Sequence, residues 1–521
     1  MIEITGKIKG GDYASAGHAS KEIKTALKRI GADAAAVRRA MVAVYEAEMN
    51  VVIHARQGML RAAVTPDALE VEVCDSGPGI ADMAQAMSEG FSTAPPEARE
   101  FGFGAGMGLP NIRRNTNRFS IHSDVGHGTR LQFAVVLAAQ PETETFTASV
   151  SIDPEKCKCC LRCLHVCPTQ AVRLRDNAPI ILPHLCIGCA ACRSVCPENV
   201  YGVACPDKPS APTSEATLYL PAPLRGQFGF TVSEEMIRDA LAALGWNKVW
   251  FGDAWENALN EAVENYAQTH ESPTPLLPPV CPAVVNLIQV RYPSLLGNVP
   301  PFLSALESAR ESITNGQGVF VVPCAAMYAL AHESSALRRR AAVTPGELLR
   351  MLSSALRPSA GPEAKAAPDA DASGHGASLI ISGIERVCQF LDKAEDGRVN
   401  DCRVAHLYAC DSGCFGSPVW PEHPEISKLR GVTKASAAGQ AATALFRPKP
   451  LEARAGLRLD PDMGKAIAKL AQIDRIRATL PGRDCGVCGS PSCLALAEDI
   501  VMGRATALSC VYKKRSADSS D

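Results

Sequence analysis

The chain has 521 residues, of which 46% are hydrophobic and 21% are charged, and its net charge at pH 7 is −2. At roughly 100–200 residues per domain, this length predicts three to five domains. The balanced charge excludes the strongly basic field that recruits nucleic acid, and no run of about 18 apolar residues predicts a membrane span. The first residues lack the pattern of a signal peptide, so we expect a cytoplasmic protein.

The first part of the chain, residues 1–140, alternates helical and strand-like patterns. The stretch 34–55 has apolar residues at helical spacing, which predicts a helix. The stretch 68–79 predicts a strand that ends in a glycine turn, and 118–137 predicts a hairpin around the turn VGHGT. This part is expected to form one α/β domain.

Four short motifs follow one another in this domain. Glu46, Asn50 and His54 fall on one face of the predicted helix, DSGPGI begins at Asp75, GFGAGMGLPNIRR begins at Gly102, and GHGT begins at Gly126. A glycine-rich stretch before a helix is typical of many phosphate sites, so each motif alone is weak. The ordered set over residues 1–138 resembles the GHKL ATPases, and among them the small anti-sigma-factor serine kinases.

This resemblance implies an α/β sandwich that binds ATP with Mg²⁺. An amide oxygen such as that of Asn50 suits Mg²⁺, and Asp75 can accept a hydrogen bond from the adenine amino group. Glu46 matches the base of the kinases, and His54 is not proposed as a phosphoacceptor. The remaining nucleotide-binding candidates are Gly77, Gly79, Gly104, Gly106, Gly108 and Thr129. The alternatives are a degenerate fold kept for docking, and, if ATP binds, either hydrolysis or transfer to a protein.

A cysteine-rich block covers residues 148–206, and the whole chain has 21 cysteines. Disulfides are rare in the cytoplasm, so metal ligation is the better interpretation of so many thiols. Two runs have the form C-x2-C-x2-C-x3-C-P, which resembles the bacterial two-cluster ferredoxins, in which the fourth cysteine binds the other [4Fe–4S] cluster. A zinc site, the alternative, uses separated pairs instead. The runs are Cys157, Cys160, Cys163 and Cys167, then Cys186, Cys189, Cys192 and Cys196; Cys159 is off register.

Residues 215–448 form the next predicted domain. Strand patterns at 216–226 and 246–253 flank a helical pattern at 233–244, which predicts a βαβ unit. The segment 357–378 is rich in Ala, Pro and Gly without periodicity and predicts a flexible insertion. Three later loops, VCPAVVNLIQVRYPSLL, VVPCAAM and LYACDSGCFGS, resemble those of the [FeFe]-hydrogenase catalytic domain. The resemblance implies that Cys281, Cys324, Cys410 and Cys414 hold a [4Fe–4S] cube.

The departures from the hydrogenase pattern concern the diiron unit. Val280 stands where the family has its proton-relay cysteine, and Met327 stands where a lysine contacts a diiron cyanide. Val322 and Tyr408 replace two pocket methionines. The cube is therefore expected to be kept and the diiron unit lost. The alternatives are four structural thiols without metal and an active hydrogenase.

The last predicted domain covers residues 460–515 and begins with a helical stretch. Its Gly-rich loop resembles a small four-cysteine iron–sulfur domain of anaerobic redox proteins, with zinc as the alternative. The implied ligands are Cys485, Cys488, Cys493 and Cys510. Four cysteines fit no group and are expected to be buried thiols: Cys74, Cys205, Cys388 and Cys402.

Together these patterns predict a multidomain α/β and α+β protein with a GHKL sandwich, a ferredoxin fold, a hydrogenase-like α/β domain and a small C-terminal iron–sulfur domain. The expected cofactors are four [4Fe–4S] clusters, ATP and Mg²⁺. The expected function is electron transfer within an anaerobic oxidoreductase, with flavin- or ferredoxin-dependent partner subunits. The first alternative is a redox-sensing ATPase or serine kinase that acts on a regulatory protein; the second is an active hydrogenase.

Overall fold

A computed structural model describes residues 1–13, 16–95, 106–139, 150–205, 216–313, 317–332, 340–356, 378–399, 402–433, 442–454 and 456–513. The chain divides into two units. The first contains residues 1–144, 455–483 and 493–521, and the second contains residues 145–454 and 484–492. The predicted insertion at 357–378 lies, apart from Ser378, outside the described residues.

The first unit begins with a five-stranded antiparallel sheet whose strand order is β1-β2-β3-β5-β4. Helices packed against the sheet complete a two-layer α/β sandwich. The elements, in chain order, are β1 (Ile2–Lys9), α1 (His18–Ile30), α2 (Ala34–His54), β2 (Gln57–Val64), β3 (Ala68–Asp75), α3 (Met83–Ala86), α4 (Gly108–Asn115), β4 (Arg118–Asp124) and β5 (Gly128–Val136). The predicted helix, strand and hairpin of this domain are confirmed.

The sequence explains the two central elements of this sandwich. The N-terminus of α2 is capped by Asp33, whose carboxylate accepts hydrogen bonds from two backbone N–H groups at 2.9 Å. The helix buries a face that includes Val37, Val44 and Val51. Strand β3 alternates buried Leu69, Val71 and Val73 with more exposed residues, as a half-buried strand requires.

The ferredoxin-like part of the second unit consists of two short antiparallel strand pairs and two short helices. Asp176 and Asn177 both have positive φ in the turn between two strands, as a tight hairpin turn demands. The elements are β6 (Val150–Ile152), α5 (Arg162–Val166), β7 (Val172–Arg175), β8 (Ala178–Ile181), α6 (Ala191–Ser194) and β9 (Tyr201–Val203), with β6 paired to β9 and β7 to β8.

The hydrogenase-like part is built on a parallel sheet of order β11-β10-β12-β13 and a parallel pair β14-β15. The predicted βαβ unit is confirmed, since β10 pairs in parallel with β11 across α7. The elements are β10 (Thr217–Leu220), α7 (Glu234–Ala243), β11 (Lys248–Phe251), α8 (Gly252–Thr269), α9 (Pro282–Arg291), α10 (Ala305–Ser312), β12 (Gly318–Val321), α11 (Ala325–His332), β13 (Arg340–Val343), α12 (Pro345–Ala355), β14 (Ser378–Ser382), α13 (Ile384–Glu395), β15 (Val404–Tyr408) and α14 (Pro424–Thr433).

Two C-terminal helices, α15 (Met463–Ala478) and α16 (Cys493–Val501), belong to the first unit, where α15 packs on α1 and on α16. Arg29 of α1 forms an ion pair with Glu498 of α16 at 2.5 Å. The backbone N–H of Leu459 also donates to the carbonyl of Arg29 at 3.0 Å. The C-terminal segment is therefore joined to the predicted nucleotide domain by both charge and backbone contacts.

A buried arginine organises one end of the parallel sheet in the second unit. The Arg225 side chain is 2% exposed; it pairs with Glu234 and, at 2.8 Å, with Asp253. Its guanidinium also lies over the Phe251 ring at 4.8 Å. Removing one member of such a buried group leaves the remaining charged side chains buried without a partner of opposite charge.

We therefore predict that Arg225→Met destabilises the second unit by about 3–5 kcal/mol. Arg350→Met is the control, because Arg350 is 75% exposed and pairs with Glu347 only at the surface, so little change is expected. Calorimetric unfolding of the full chain measures both variants under the same conditions. Equal transition temperatures for the two variants would contradict the prediction.

Candidate functional site

Cysteines from both ferredoxin-like runs surround a first concave space of about 490 Å³, part of it open to solvent. Its lining includes Cys157, Cys160 and Cys163 of the first run and Cys196 of the second. This is the crossed arrangement expected when the fourth cysteine of each run serves the other cluster. We call it the first cluster site. Cys159, expected to be a bystander, also lines this space, and its thiol donates to the Asn177 carbonyl at 3.4 Å.

The complementary set forms the second cluster site. Cys167 of the first run is an electrostatic neighbour of Cys186, Cys189 and Cys192, and it raises the pKa of each thiol in addition to the larger effect of burial. The Cys167 sulfur accepts the backbone N–H of Ala171 at 3.2 Å. Such hydrogen bonds suit a ligand thiolate, which carries negative charge.

A further concave space of about 380 Å³, part of it open to solvent, is lined by the four predicted cysteines of the hydrogenase-like domain, Cys281, Cys324, Cys410 and Cys414. We call it the cube cavity. Cys281 directly precedes α9, Cys324 directly precedes α11, and the other two follow β15. Three loops that are distant in the sequence therefore converge on this space.

The cube cavity also receives Cys189 from the second cluster site. The close approach depends on Gly188, which has a positive φ of 71° and whose missing Cβ would lie 2.8 Å from the backbone nitrogen of Ala326. Any larger residue would push the ferredoxin-like loop away from the start of α11. The second cluster site and the cube cavity therefore share a wall.

The chemistry of these thiols fits a positively charged metal core. Burial raises the pKa of Cys324 to about 12, although the backbone N–H groups of Met327 and Ala326 oppose the shift. Burial also raises the pKa values of Cys410 and Cys414 far above the usual range. A buried thiolate needs compensating positive charge, which the irons of a bound cluster would supply.

The residues that depart from the hydrogenase pattern do not all lie at the cube cavity. Met327 and Tyr408 line the cube cavity. Val280 packs instead against a core cluster that includes Leu259, and Val322 is fully buried in another core cluster. Neither valine can donate or carry a proton.

The C-terminal cysteines are divided between the two units. Cys485 and Cys488 belong to the second unit, where the Leu174 backbone N–H donates to the Gly489 carbonyl at 2.8 Å. Cys493 is the first residue of α16 in the first unit, which also contains the buried Cys510. Across the described residues, no three His, Cys, Asp or Glu side chains lie close enough to hold a single metal ion.

The four cysteines outside these groups were expected to be buried, and the expectation is only partly right. Cys402 is buried, whereas Cys74, Cys205 and Cys388 are partly exposed. Cys74, near the end of β3, lies next to the charged Glu72 and Arg130. Cys205 instead packs against a core cluster. The exposure of a cysteine depends on which residues surround it in the fold, and the sequence around an isolated cysteine does not show these neighbours.

The first predicted nucleotide group lies between α2 and the start of α4. The Asn111 amide donates to Glu46 Oε1 at 2.8 Å. A Cβ built on Gly108 would lie 3.1 Å from Asn50 Oδ1 and 3.4 Å from Glu46 Oε2. The predicted base, the predicted Mg²⁺ ligand and the N-terminus of α4 therefore adjoin one another.

The second nucleotide group surrounds Asp75 at the end of β3. Its Oδ1 accepts from the Gly77 N–H at 2.7 Å and from the Thr129 N–H at 3.3 Å. Gly128 has a φ of 92°, and its missing Cβ would lie 2.1 Å from the Asp75 carbonyl oxygen, so only glycine fits beside the carboxylate. Burial lowers the pKa of the nearby His54, although Asp75 opposes the shift.

The remaining nucleotide candidates are glycines. Gly79 and Gly106 both have positive φ, of 73° and 74°. Gly104 lies outside the described residues.

Sequence reasoning missed two features. Cys189 was predicted as a ligand but not as part of the cube-cavity wall, because no local pattern encodes a contact between loops that are far apart in the sequence. Tyr201 lines the first cluster site, and its only sequence signal is its position five residues after Cys196.

Comparison with known proteins agrees with the separation of the chain into a nucleotide domain and iron–sulfur domains. Four family models match: "Histidine kinase-like ATPase domain" over residues 11–135, "4Fe-4S dicluster domain" over 149–197, "Iron only hydrogenase large subunit, C-terminal domain" over 220–378, and "Putative Fe-S cluster" over 480–512. The serine/threonine-protein kinase RsbT of Bacillus subtilis is 31% identical over 109 residues, which are 20% of this chain and 76% of that protein.

The chain belongs, through its first domain, to the histidine kinase-like ATPase family. A second member, the anti-sigma F factor of Caldanaerobacter subterraneus subsp. tengcongensis, is 34% identical over 92 residues, covering 17% of this chain and 61% of that protein. Beyond the histidine kinase-like ATPase domain, the dicluster and hydrogenase models identify an iron–sulfur protein.

Among solved structures, an apo [FeFe]-hydrogenase variant from Chlamydomonas reinhardtii matches with a TM-score of 0.34 and 12% identity, covering 44% of this chain and 86% of that chain. No helix in the described parts of the chain has the length and apolar character needed to cross a membrane.

The Asp75 geometry generates a prediction for nucleotide binding. Asp75→Asn keeps an oxygen that can accept the Gly77 N–H but replaces the other oxygen with a donor, which repels an adenine amino group. A hydrogen bond to a charged group is worth about 1.5–3 kcal/mol, so we expect the affinity for Mg·ATP to fall at least about tenfold.

Titration calorimetry on the full chain measures this affinity. Asp67→Asn, in the exposed turn between β2 and β3, is the control and should bind as the wild type does. An unchanged affinity in Asp75→Asn would remove this residue from adenine recognition.

Proposed function

We propose that the protein is an iron–sulfur electron relay in which the cube cavity holds a [4Fe–4S] cluster without a diiron unit. The observation that carries the proposal is the shared wall: Cys189 of the second cluster site lines the same cavity as Cys281, Cys324, Cys410 and Cys414. Sites this close exchange electrons without an intermediate carrier. The order of transfer is then first cluster site, second cluster site and cube cavity.

The substitutions around the cube cavity support the loss of hydrogen chemistry. A diiron unit needs a proton carrier and donors that hold its ligands, and Val280 and Met327 supply neither. The four cysteines that hold a cube are nevertheless all present and converge. Hydride chemistry therefore belongs to flavin- or ferredoxin-dependent partner subunits of an anaerobic oxidoreductase.

The full proposed cofactor set is four [4Fe–4S] clusters, ATP and Mg²⁺. Sequence spacing and the matching family model support the fourth ligand set, Cys485, Cys488, Cys493 and Cys510. Glu46, Asn50, Asp75, Thr129 and the motif glycines, with Gly104 assigned from the sequence alone, bind the nucleotide.

Iron analysis tests the relay. Four cubes predict about 16 irons per chain after anaerobic reconstitution. The double variant Cys324→Ala, Cys410→Ala should lose about four irons and keep both ferredoxin-type resonance signals. Its matched control, Cys388→Ala with Cys402→Ala, should lose none. Equal iron in the wild type and the Cys324/Cys410 variant would leave the cube cavity without a cluster.

The same preparation should evolve no hydrogen from a reduced dye, even after treatment with the hydrogenase maturation machinery. Turnover that disappears in Cys281→Ala would instead identify an active hydrogenase.

A second candidate function is a redox-sensing kinase, and one observation favours it. Helix α16 begins with a predicted cluster ligand, Cys493. Five residues later, Glu498 forms an ion pair with Arg29 of α1. The Arg29 and Glu498 side chains are only 10% and 17% exposed, so salt screens this pair less than a surface pair. A change at Cys493 therefore has a short physical route to the nucleotide domain, and relatives of that domain are named as a kinase and an anti-sigma factor.

This candidate predicts that reduction with dithionite changes the affinity for Mg·ATP, within the 5–150-fold range of typical allosteric coupling. Glu498→Gln should shrink the difference, while Glu70→Gln, which breaks an exposed pair with Arg118 in the same domain, should preserve it. Equal affinities in both redox states of the wild type would count against the sensor and favour the relay.

A further inference from the structure

The Tyr201 side chain places a hydroxyl inside the first cluster site, next to the Cys163 thiol. The residue is 2% exposed and lines the same space as Cys157, Cys160, Cys163 and Cys196. Within the described residues its hydroxyl has no hydrogen-bond partner of acceptable geometry. Cys163 is its neighbour, and burial together with this thiol raises the pKa of Tyr201 far above its usual range.

The backbone of Tyr201 is held on both sides of the residue. Tyr201 pairs with Ile152 in the antiparallel ladder of β6 and β9. Its carbonyl accepts a hydrogen bond from Arg193 Nη1 at 2.9 Å. A buried hydroxyl without a well-formed hydrogen bond is destabilising, so its presence here requires a reason.

The internal repeat of the ferredoxin-like domain shows that packing is not that reason. Each run ends in C-P, and the residue five positions after the fourth cysteine is Val172 in the first run and Tyr201 in the second. Val172 is also 2% exposed and belongs to the same core cluster. An aliphatic side chain therefore fills this position in one half, and only the other half has a hydroxyl.

We propose that the Tyr201 hydroxyl donates a hydrogen bond to a sulfur of the first cluster and raises the reduction potential of that cluster alone. This inference rests on the proposed cluster at Cys157, Cys160, Cys163 and Cys196. One-electron reduction adds negative charge to the cluster sulfurs, so a donor directed at them stabilises the reduced form more than the oxidised form. Tyr201 is thus a tuning residue that distinguishes two otherwise repeated sites.

The test is a potentiometric titration of the full chain, followed by electron paramagnetic resonance. Tyr201→Phe keeps the ring and removes the donor, so the first cluster should become harder to reduce by about tenfold in its equilibrium constant, or about 59 mV. The second cluster should not change. Loss of one set of signals in Cys160→Ser identifies which cluster is the first.

Tyr292→Phe is the matched control. Tyr292 is equally buried, but its hydroxyl donates to Asp392 Oδ1 at 2.9 Å, away from the cluster cysteines. Its removal should leave both ferredoxin-type potentials unchanged. A similar shift in both variants would mean a general effect of loosened packing and would overturn the proposal.

A second variant covers the case in which Tyr201→Phe does not assemble its cluster. Site-specific 3-fluorotyrosine at position 201 keeps the side-chain shape and strengthens the donor, so the first potential should rise. Signals present at an unchanged potential would overturn the role of Tyr201 while leaving the relay intact. Absence of the first cluster from fully reconstituted wild type would overturn both.

Discussion

The burial of ionisable sulfur is the constraint on which the second unit depends. The thiols of Cys189, Cys324, Cys410 and Cys414 lie where burial strongly disfavours their charged form. As ligands they must be charged, so the pocket is stable in its working form only when positive metal charge accompanies them. The surrounding sheet and helices therefore serve chiefly to bring distant loops to one point. In the proposed relay, cluster binding would therefore contribute to the folding free energy of this part of the chain.

The same constraint explains why two cluster sites adjoin. A loop that carries Cys189 also touches the start of α11 through Gly188, where a side chain would collide with Ala326. This contact places Cys189 in the wall that both sites share, and charges interact more strongly in the interior of a protein than in water. In the proposed relay, reduction of one cluster would therefore change the electrostatic potential at the other. In such an arrangement, small differences in the hydrogen-bond donors near each cluster, such as the Tyr201 hydroxyl, determine which cluster is reduced first.

Much of this architecture was predictable from the sequence, because the ligands occur in rigid local patterns. The spacing around Cys157 and Cys186 specified the ferredoxin-like runs, and the apolar period of residues 34–54 specified α2. The exposure of Cys74 and the position of Cys189 in a second cavity were not predictable. Both depend on which loops meet after folding, and helical or strand periodicity carries no information about such contacts.

The placement of the C-terminal helices bears on why one chain combines a histidine kinase-like ATPase domain with iron–sulfur modules. An electron relay alone gains nothing from a buried ion pair between α1 and α16, since no electron passes through Arg29 or Glu498. The pair is useful if the redox state of the C-terminal segment and nucleotide binding by the first domain are to depend on each other. Linkage is reciprocal, so an ATPase domain that responds to cluster state also gives ATP an influence on the cluster. Relay and sensor are therefore compatible proposals for one molecule, since the second unit contains the residues of the proposed relay and the first contains those of the proposed sensor.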